Sequence, residues 1–340
     1  MRIEQCDPSN PGSREDVPRL SDGTAVIADR RNDENAMISG FQSAFLCFHN
    51  RALDVATSQT DAPAARYAEA RRLTTWHYQW IVLNEFLPAI VGQKRIDQIR
   101  KNGRKYYRPS GEPFVPVEFQ IAYRLHTLAR PSYRLNFTGA SGSPLFLFLF
   151  HSHVEDLRGG QRAPHRFVDW QTFFQFPGVA GTRTTKKIDR LVSTPMFTLP
   201  FSAIATGDPP TVLAQRNLLR HITWGLPSGQ AIAKAMGEKP LSSTDLRELR
   251  EFRHGLDKST PLWHYVNAEG ELLESGQRMG PVGGRIVAEV IMGLLELDPL
   301  SFLAQSNWRP TLPAKFSGSG NFKMIDFLDF AGVAPTSGSA

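Results

Sequence analysis

The sequence predicts a mainly α-helical protein with long loops and little β-structure. Three observations carry that prediction. Apolar residues recur at three-and-four spacing through several long segments. Strict apolar–polar alternation is scarce. Between about Asn136 and Leu199, Gly, Pro and Thr residues break up any regular pattern.

The elements follow in chain order. Residues 1–24 read as loop, rich in Pro, Gly, Ser and Asp. Ala36 to Ala56 reads as a helix whose broad apolar face carries Ile38, Phe41, Phe45, Leu46 and Phe48. Ala65 to Gly92 is the longest helical pattern, with Leu73, Trp76, Trp80, Leu83, Leu87 and Ile90 repeating. Pro88 should kink or end it, because proline removes a backbone donor. A basic loop follows. VEFQIAYRLHTLARP, Val117 to Pro131, reads as about three turns of helix with Phe119, Ala122, Tyr123 and His126 on one face. WQTFFQF (Trp170 to Phe176) is a short aromatic piece. Helical signals return over Thr211 to Leu226, over Leu241 to Arg253 behind cap residues, and over Gly283 to Pro299 with Ile286, Val290, Leu294 and Leu297 on one stripe. The tail carries one short helix candidate, MIDFLDFAG. No repeat and no composition break stands out. The expected organisation is an extension over 1–24, one domain over 25–312, and a tail over 313–340.

At 340 residues, with 41% apolar and 21% charged residues, the chain is ordinary for a globular protein with a sizeable core. The net charge of +6 is modest, and only KNGRKYYR mixes basic with aromatic residues. No binding motif accompanies it, so nucleic acid is not an expected partner. Cys6 and Cys47 form neither a disulfide framework nor a zinc pattern, which suits a reducing compartment; cytoplasmic location is the expectation. No apolar run approaches the ~20 residues a membrane helix needs. PLFLFLF (Pro144 to Phe150) reads as core or as the wall of an apolar pocket.

His126 is the leading chemical candidate. A histidine on an apolar face is either a hydrogen-bonded core residue or a ligand; a neutral imidazole holds haem iron through one nitrogen while the other fixes its orientation. Tyr123, one turn earlier, is either a core tyrosine or a redox-active phenol. His151-Ser-His153 with His165 nearby suggests a metal site only weakly, since no cysteine or carboxylate set joins them.

The surrounding residues resemble a known family. VEFQIAYRLHTLARP is similar to the proximal helix of the animal-type haem peroxidase and cyclooxygenase superfamily, and resembles its cyclooxygenase and fatty-acid dioxygenase branch in Glu-Phe, then Tyr, then His three residues later. DRRNDENAMISGFQSAFLCFHNRALD (Asp29 to Asp54) resembles the segment carrying the distal arginine. EARRLTTWHYQWIVLNEFLPAIVG resembles the next helix, and QRNLLRHITWGLPSGQ and PVGGRIVAEVIMGLLELDP resemble late segments of bacterial members. Together these span roughly residues 15 to 312.

The resemblance implies the helical fold of that family and a haem-dependent peroxidase. His126 would be the proximal iron ligand, Arg31 the distal arginine that assists O–O cleavage, Glu34 the glutamate that in mammalian peroxidases esterifies a haem methyl, and Tyr123 the radical-tyrosine position. The expected partners are hydrogen peroxide or an organic or lipid hydroperoxide, with a small organic or fatty-acid donor. The alternatives are a fatty-acid oxygenase using Tyr123, or a haem-binding relative without turnover.

Some family features are missing. None of the nine histidines sits in the distal Gln-x-x-x-Asp-His-Asp-like segment, whose histidine moves the peroxide proton, and the calcium-binding segment is not found. The sequence therefore resembles the C-terminal two-thirds of the family domain. Gln175 and Asn35 stand where mammalian members have residues bonded covalently to haem, so non-covalent haem b is expected, without calcium. The asparagine that orients the proximal histidine is not placed by sequence.

Overall fold

The computed structural model describes residues 16–57, 59, 62–137, 146–150, 156–161, 166–204, 206–252, 254–305 and 307–335. Ten α-helices occur among them: α1 (Ala36–Thr57), α2 (Pro63–Ile81), α3 (Leu87–Val91), α4 (Gln93–Asn102), α5 (Val117–Ala122), α6 (Leu213–Thr223), α7 (Gly229–Met236), α8 (Leu262–Glu274), α9 (Pro281–Leu297) and α10 (Met324–Ala331). One antiparallel pair, β1 (Ser132–Arg134) and β2 (Phe146–Phe148), sets Tyr133 opposite Leu147. The mainly α architecture is the one predicted. The chain forms two compact units: Met1–Ile81 with Pro131–Thr184 and Asn307–Ala340, and Val82–Arg130 with Thr185–Ser306.

In the first unit α1 begins where Asn35 Oδ1 accepts the Ile38 amide at 2.9 Å, a cap for an otherwise orphaned donor. Ala44, Ala52 and Ala56 on α1 and Ala70 on α2 are fully or almost fully buried, and such small side chains let the two helices pack closely. The predicted tail helix is α10. Its Phe327 ring stacks parallel on Phe48 at 4.1 Å. Both rings are fully buried, which stabilises by roughly 2–3 kcal/mol each. His77 is wholly buried and uses both nitrogens: Nδ1 meets the Leu73 carbonyl at 2.7 Å, and Nε2 accepts the Thr311 and Leu312 amides at 3.1 and 3.2 Å. From PLFLFLF, Phe146–Phe148 form β2, and Leu147 is core.

In the second unit α9 lies at the centre, packed by α3, α4, α5, α7 and α8. It is buried on nearly every side from Val282 to Gly293. The stripe read from sequence is therefore too narrow at the start, and its last member, Leu297, is exposed. Gly293 matters here: a Cβ would lie 2.4 Å from the Tyr107 ring. The same loop is fastened by Glu289, whose Oε2 accepts the amides of Lys105, Tyr106 and Tyr107 at 3.0, 2.6 and 3.0 Å. The Pro88 expectation is met by a π-helical turn, Val82–Phe86, just before α3. The wider turn accommodates the missing donor and the ring that would press on the Asn84 carbonyl.

Two predicted helices are shorter than expected. The segment Val117 to Pro131 is α-helical only to Ala122; a turn follows, then a 3-10 turn over His126–Leu128. Tertiary partners compete with the helix ladder there. Trp263 Nε1 donates to the Arg124 carbonyl at 2.9 Å, and Thr127 Oγ1 donates to Asn267 at 2.8 Å. Leu125 takes φ −80°, ψ 44°, outside the helical region. Over Leu241 to Arg253 only Arg247–Phe252 is helical, as 3-10. Ser242 instead donates from both its amide and its hydroxyl to Asp245, each at 2.7 Å, a local bond that competes with the helix.

Candidate functional site

The break after Ala122 shapes the site. α5 delivers Phe119 and Tyr123, and the turn beyond delivers His126, into one groove of about 540 Å³. Phe86, Ile90, Leu125 and Leu128 complete an apolar wall. Tyr123 stacks on Phe119 with centroids 5.2 Å apart and keeps 37% of its surface exposed, so its phenol is reachable from the groove.

His126 is partly buried. Desolvation, reinforced by the nearby Arg124 charge, lowers its pKa to about 4, so the imidazole is neutral at physiological pH. Its Nδ1 lies 3.1 Å from the side-chain amide of Asn217, which is wholly buried on α6. Arg124 in turn donates to Asn217 Oδ1 at 3.4 Å. An asparagine amide presents a donor at one end and an acceptor at the other. As placed, the amide nitrogen faces Nδ1 and the oxygen faces Arg124; Nε2 keeps its lone pair only with the amide turned so that its oxygen accepts from Nδ1–H, which gives up the Arg124 bond. Nε2 has no hydrogen-bond partner among the described residues. A neutral, oriented imidazole in an apolar groove is the donor that a haem iron takes on its proximal side.

Asn217 is the site residue that sequence reading missed. The signal was there: Ala214, Asn217, Leu218 and His221 occupy one face of α6 by three-and-four spacing, and a polar side chain in an apolar stripe needs a partner.

The other predicted site residues lie in the first unit. Arg31 sits in a 3-10 turn, Arg30–Asp33. Its side chain is 81% exposed and pairs with Asp29, Nη2 to Oδ2 at 2.5 Å, which holds the Asp29 carboxyl down at about 2. Glu34 is exposed, and its carbonyl accepts the Gly159 amide at 3.0 Å. Gln175 donates to the Val179 carbonyl at 3.1 Å. Thus Tyr123 and His126 share a groove, and Arg31 and Glu34 face solvent. His151, His153 and His165 lie outside the described residues; among the described ones no cluster of three His, Cys, Asp or Glu side chains forms a metal site. No described helix is long and apolar enough to cross a membrane.

Known proteins were compared with this geometry. The family described as animal haem peroxidase matches residues 5–156, a stretch that contains Arg31, Glu34, Tyr123 and His126 and stops short of Asn217. No curated protein matches by sequence. Among solved structures, peroxidase A from Dictyostelium discoideum superposes with TM-score 0.54 at 19% identity over 84% of this chain and 55% of its own. Fatty acid alpha-dioxygenase from Arabidopsis thaliana gives 0.56 at 15% over 87% and 51%, and that from Oryza sativa gives 0.57 at 15% over 85% and 53%. The fold is shared, and this chain spans about half the length of each.

Proposed function

We propose, for a chain whose residues 5–156 belong to the animal haem peroxidase family, a haem-dependent peroxidase that reduces a peroxide and oxidises an organic donor in one-electron steps. The observation that carries the reading is the neutral imidazole of His126, anchored at Nδ1 by a buried asparagine and set in an apolar groove. Haem bound there supplies an iron centre that exchanges electrons with the peroxide and the donor. His126 would hold the iron through Nε2, with Asn217 fixing the ring once its oxygen accepts from Nδ1–H. Phe86, Ile90, Phe119, Leu125 and Leu128 offer apolar surface to the macrocycle and exclude water. Non-covalent haem b suits this chain, because Gln175 and Asn35 offer no ester- or sulfonium-forming group. Calcium is not part of the proposal. Arg31 is assigned the distal arginine role and Glu34 the haem-edge role on the family resemblance; the permanent charge of a guanidinium suits peroxide polarisation. Hydrogen peroxide or a hydroperoxide is the oxidant, and a small organic molecule or fatty acid the donor. A reducing, cytoplasmic setting is supported by Cys47, a buried free thiol.

A second reading rests on Tyr123, whose phenol lines the same groove as His126. It is a fatty-acid oxygenase in which that tyrosine abstracts hydrogen from the lipid.

Haemin titration of wild type and His126→Ala tests the proposal. A histidine-type Soret band in wild type that the variant lacks, followed by peroxide-dependent donor oxidation, is the expected result. Equal uptake by both proteins would remove His126 as the ligand; a haem complex inert to peroxide would leave a binding protein and sink the peroxidase reading.

A further inference from the structure

A second cavity, of about 580 Å³, lies in the same unit and shares no lining residue with the His126 groove. α5 separates their linings, sending Glu118 to one and Phe119 and Tyr123 to the other. The walls are mostly apolar: Tyr106 and Phe114 from the loop, Ala231 and Ile232 from α7, Ile286 and Val290 from α9. The volume is that of an ordinary small-ligand pocket.

Arg108, Ser110, Glu118, Arg285 and Glu289 interrupt this lining, and one of them is left unsatisfied. Glu289 is 1% exposed. Its Oε2 is saturated by three loop amides, yet its buried Oε1 accepts no hydrogen bond. Arg285, one turn earlier on α9, also lines the cavity and holds Nη1 at 3.5 Å from Oε1, an ion pair without a hydrogen bond. A buried carboxylate oxygen left in this state is costly. An unused acceptor and a cationic donor thus lie side by side at the cavity wall, with Oε1 covered until the Arg285 side chain swings aside.

We propose that this cavity binds an apolar, preferably aromatic, molecule carrying a single hydroxyl group. An O–H both donates and accepts. Inserted between Arg285 and Glu289, it takes a hydrogen bond from the guanidinium and gives one to Oε1, replacing one long ion pair with two charge-assisted bonds. A carboxylate head would pair with Arg285 or Arg108 but bring Oε1 no proton and add a negative charge beside Glu289 and Glu118, and a hydrocarbon would leave Oε1 as it is. The ring would pack among Tyr106, Phe114 and Ile286. This pocket is independent of the haem reading.

Equilibrium dialysis of the full chain against 2-naphthol, naphthalene and 2-naphthoate tests it. The naphthol should bind at least tenfold more tightly than the other two. Glu289→Gln turns the acceptor into a donor while keeping an oxygen for the loop amides, and should weaken naphthol binding by about 10- to 100-fold, the worth of one hydrogen bond to a charged group. Ala231→Trp, at an exposed position on α7 that fills the cavity without touching Glu289, should abolish binding and tests the site even if the Glu289 variant folds poorly. Naphthalene binding as tightly as naphthol, a preference for naphthoate, undiminished binding to the Ala231 variant, or no naphthol uptake up to about 1 mM would each overturn the assignment.

Discussion

The side-chain amide of Asn217 lies 3.1 Å from Nδ1 of His126, ninety-one residues away in the chain. Removing it should release the imidazole. Asn217→Leu keeps the volume and discards the partner, so haemin affinity should fall 10- to 100-fold, the usual cost of losing a ligand's supporting hydrogen bond. Soret titration of the variant measures this; unchanged affinity would mean that the groove alone positions the ring.

Tyr123→Phe separates the two proposed activities. The phenyl ring preserves the stacking on Phe119. Peroxide-dependent oxidation of a small donor should persist within a few-fold, while any oxygen uptake on a fatty acid should vanish. Equal loss of both would place the phenol in a step they share.

His77 predicts a pH dependence of stability. Burial lowers its pKa to about 4 in the folded state, below the ~6.5 of an exposed histidine. The unfolded chain therefore takes up a proton first, and the stability contribution is lost as pH falls from about 6.5 toward 4, on the order of 2 kcal/mol by pH 4.5. Urea unfolding at pH 7, 5.5 and 4.5 should show the midpoint falling, and His77→Gln should flatten that fall. A parallel decline in wild type and variant would exclude this histidine as its source.

Glu269 runs the other way. It is buried, caps the start of α9 through the Val282 and Gly283 amides, and desolvation raises its pKa to about 7. The folded state favours the protonated form, so stability from this group is lost as pH rises from about 4.5 to 7. Glu269→Gln should remove that slope and hold stability at pH 8 level with or above wild type. A variant less stable than wild type at pH 8 would show that the charged carboxylate is the better cap.

The mainly α fold and most of its helices were legible because an apolar stripe at helical period needs no partner to be recognised. α1, α6, α9 and α10 begin and end close to where their patterns do, and the Ala65 to Gly92 pattern divides into α2, a π turn and α3. The reading lengthened Val117 to Pro131 because Tyr123 and His126 kept the helical spacing; nothing local to that segment announces Trp263 taking the Arg124 carbonyl. The single stripe on α9 was too narrow because a central helix is wrapped on all sides by neighbours chosen by the fold. His126 and Tyr123 were singled out by short-range pattern and given their roles by the family resemblance. Asn217 was not, because its partner lies on another helix and only the misplaced polarity of its own face hinted at it.

The turn after Ala122 has a further consequence. His126 does not inherit its direction from a rigid rod. Its ring is aimed by Asn217 on α6, and the turn around it is pinned by Trp263 and Asn267 on α8, through the Arg124 carbonyl and the Thr127 hydroxyl. A fragment cut at residue 156 would retain every residue of the family match and lose all three of the groups that aim the imidazole. Such a fragment would carry the motif without the grip, and the haem affinity proposed for His126 would then be a property of α6 and α8 as much as of the histidine itself.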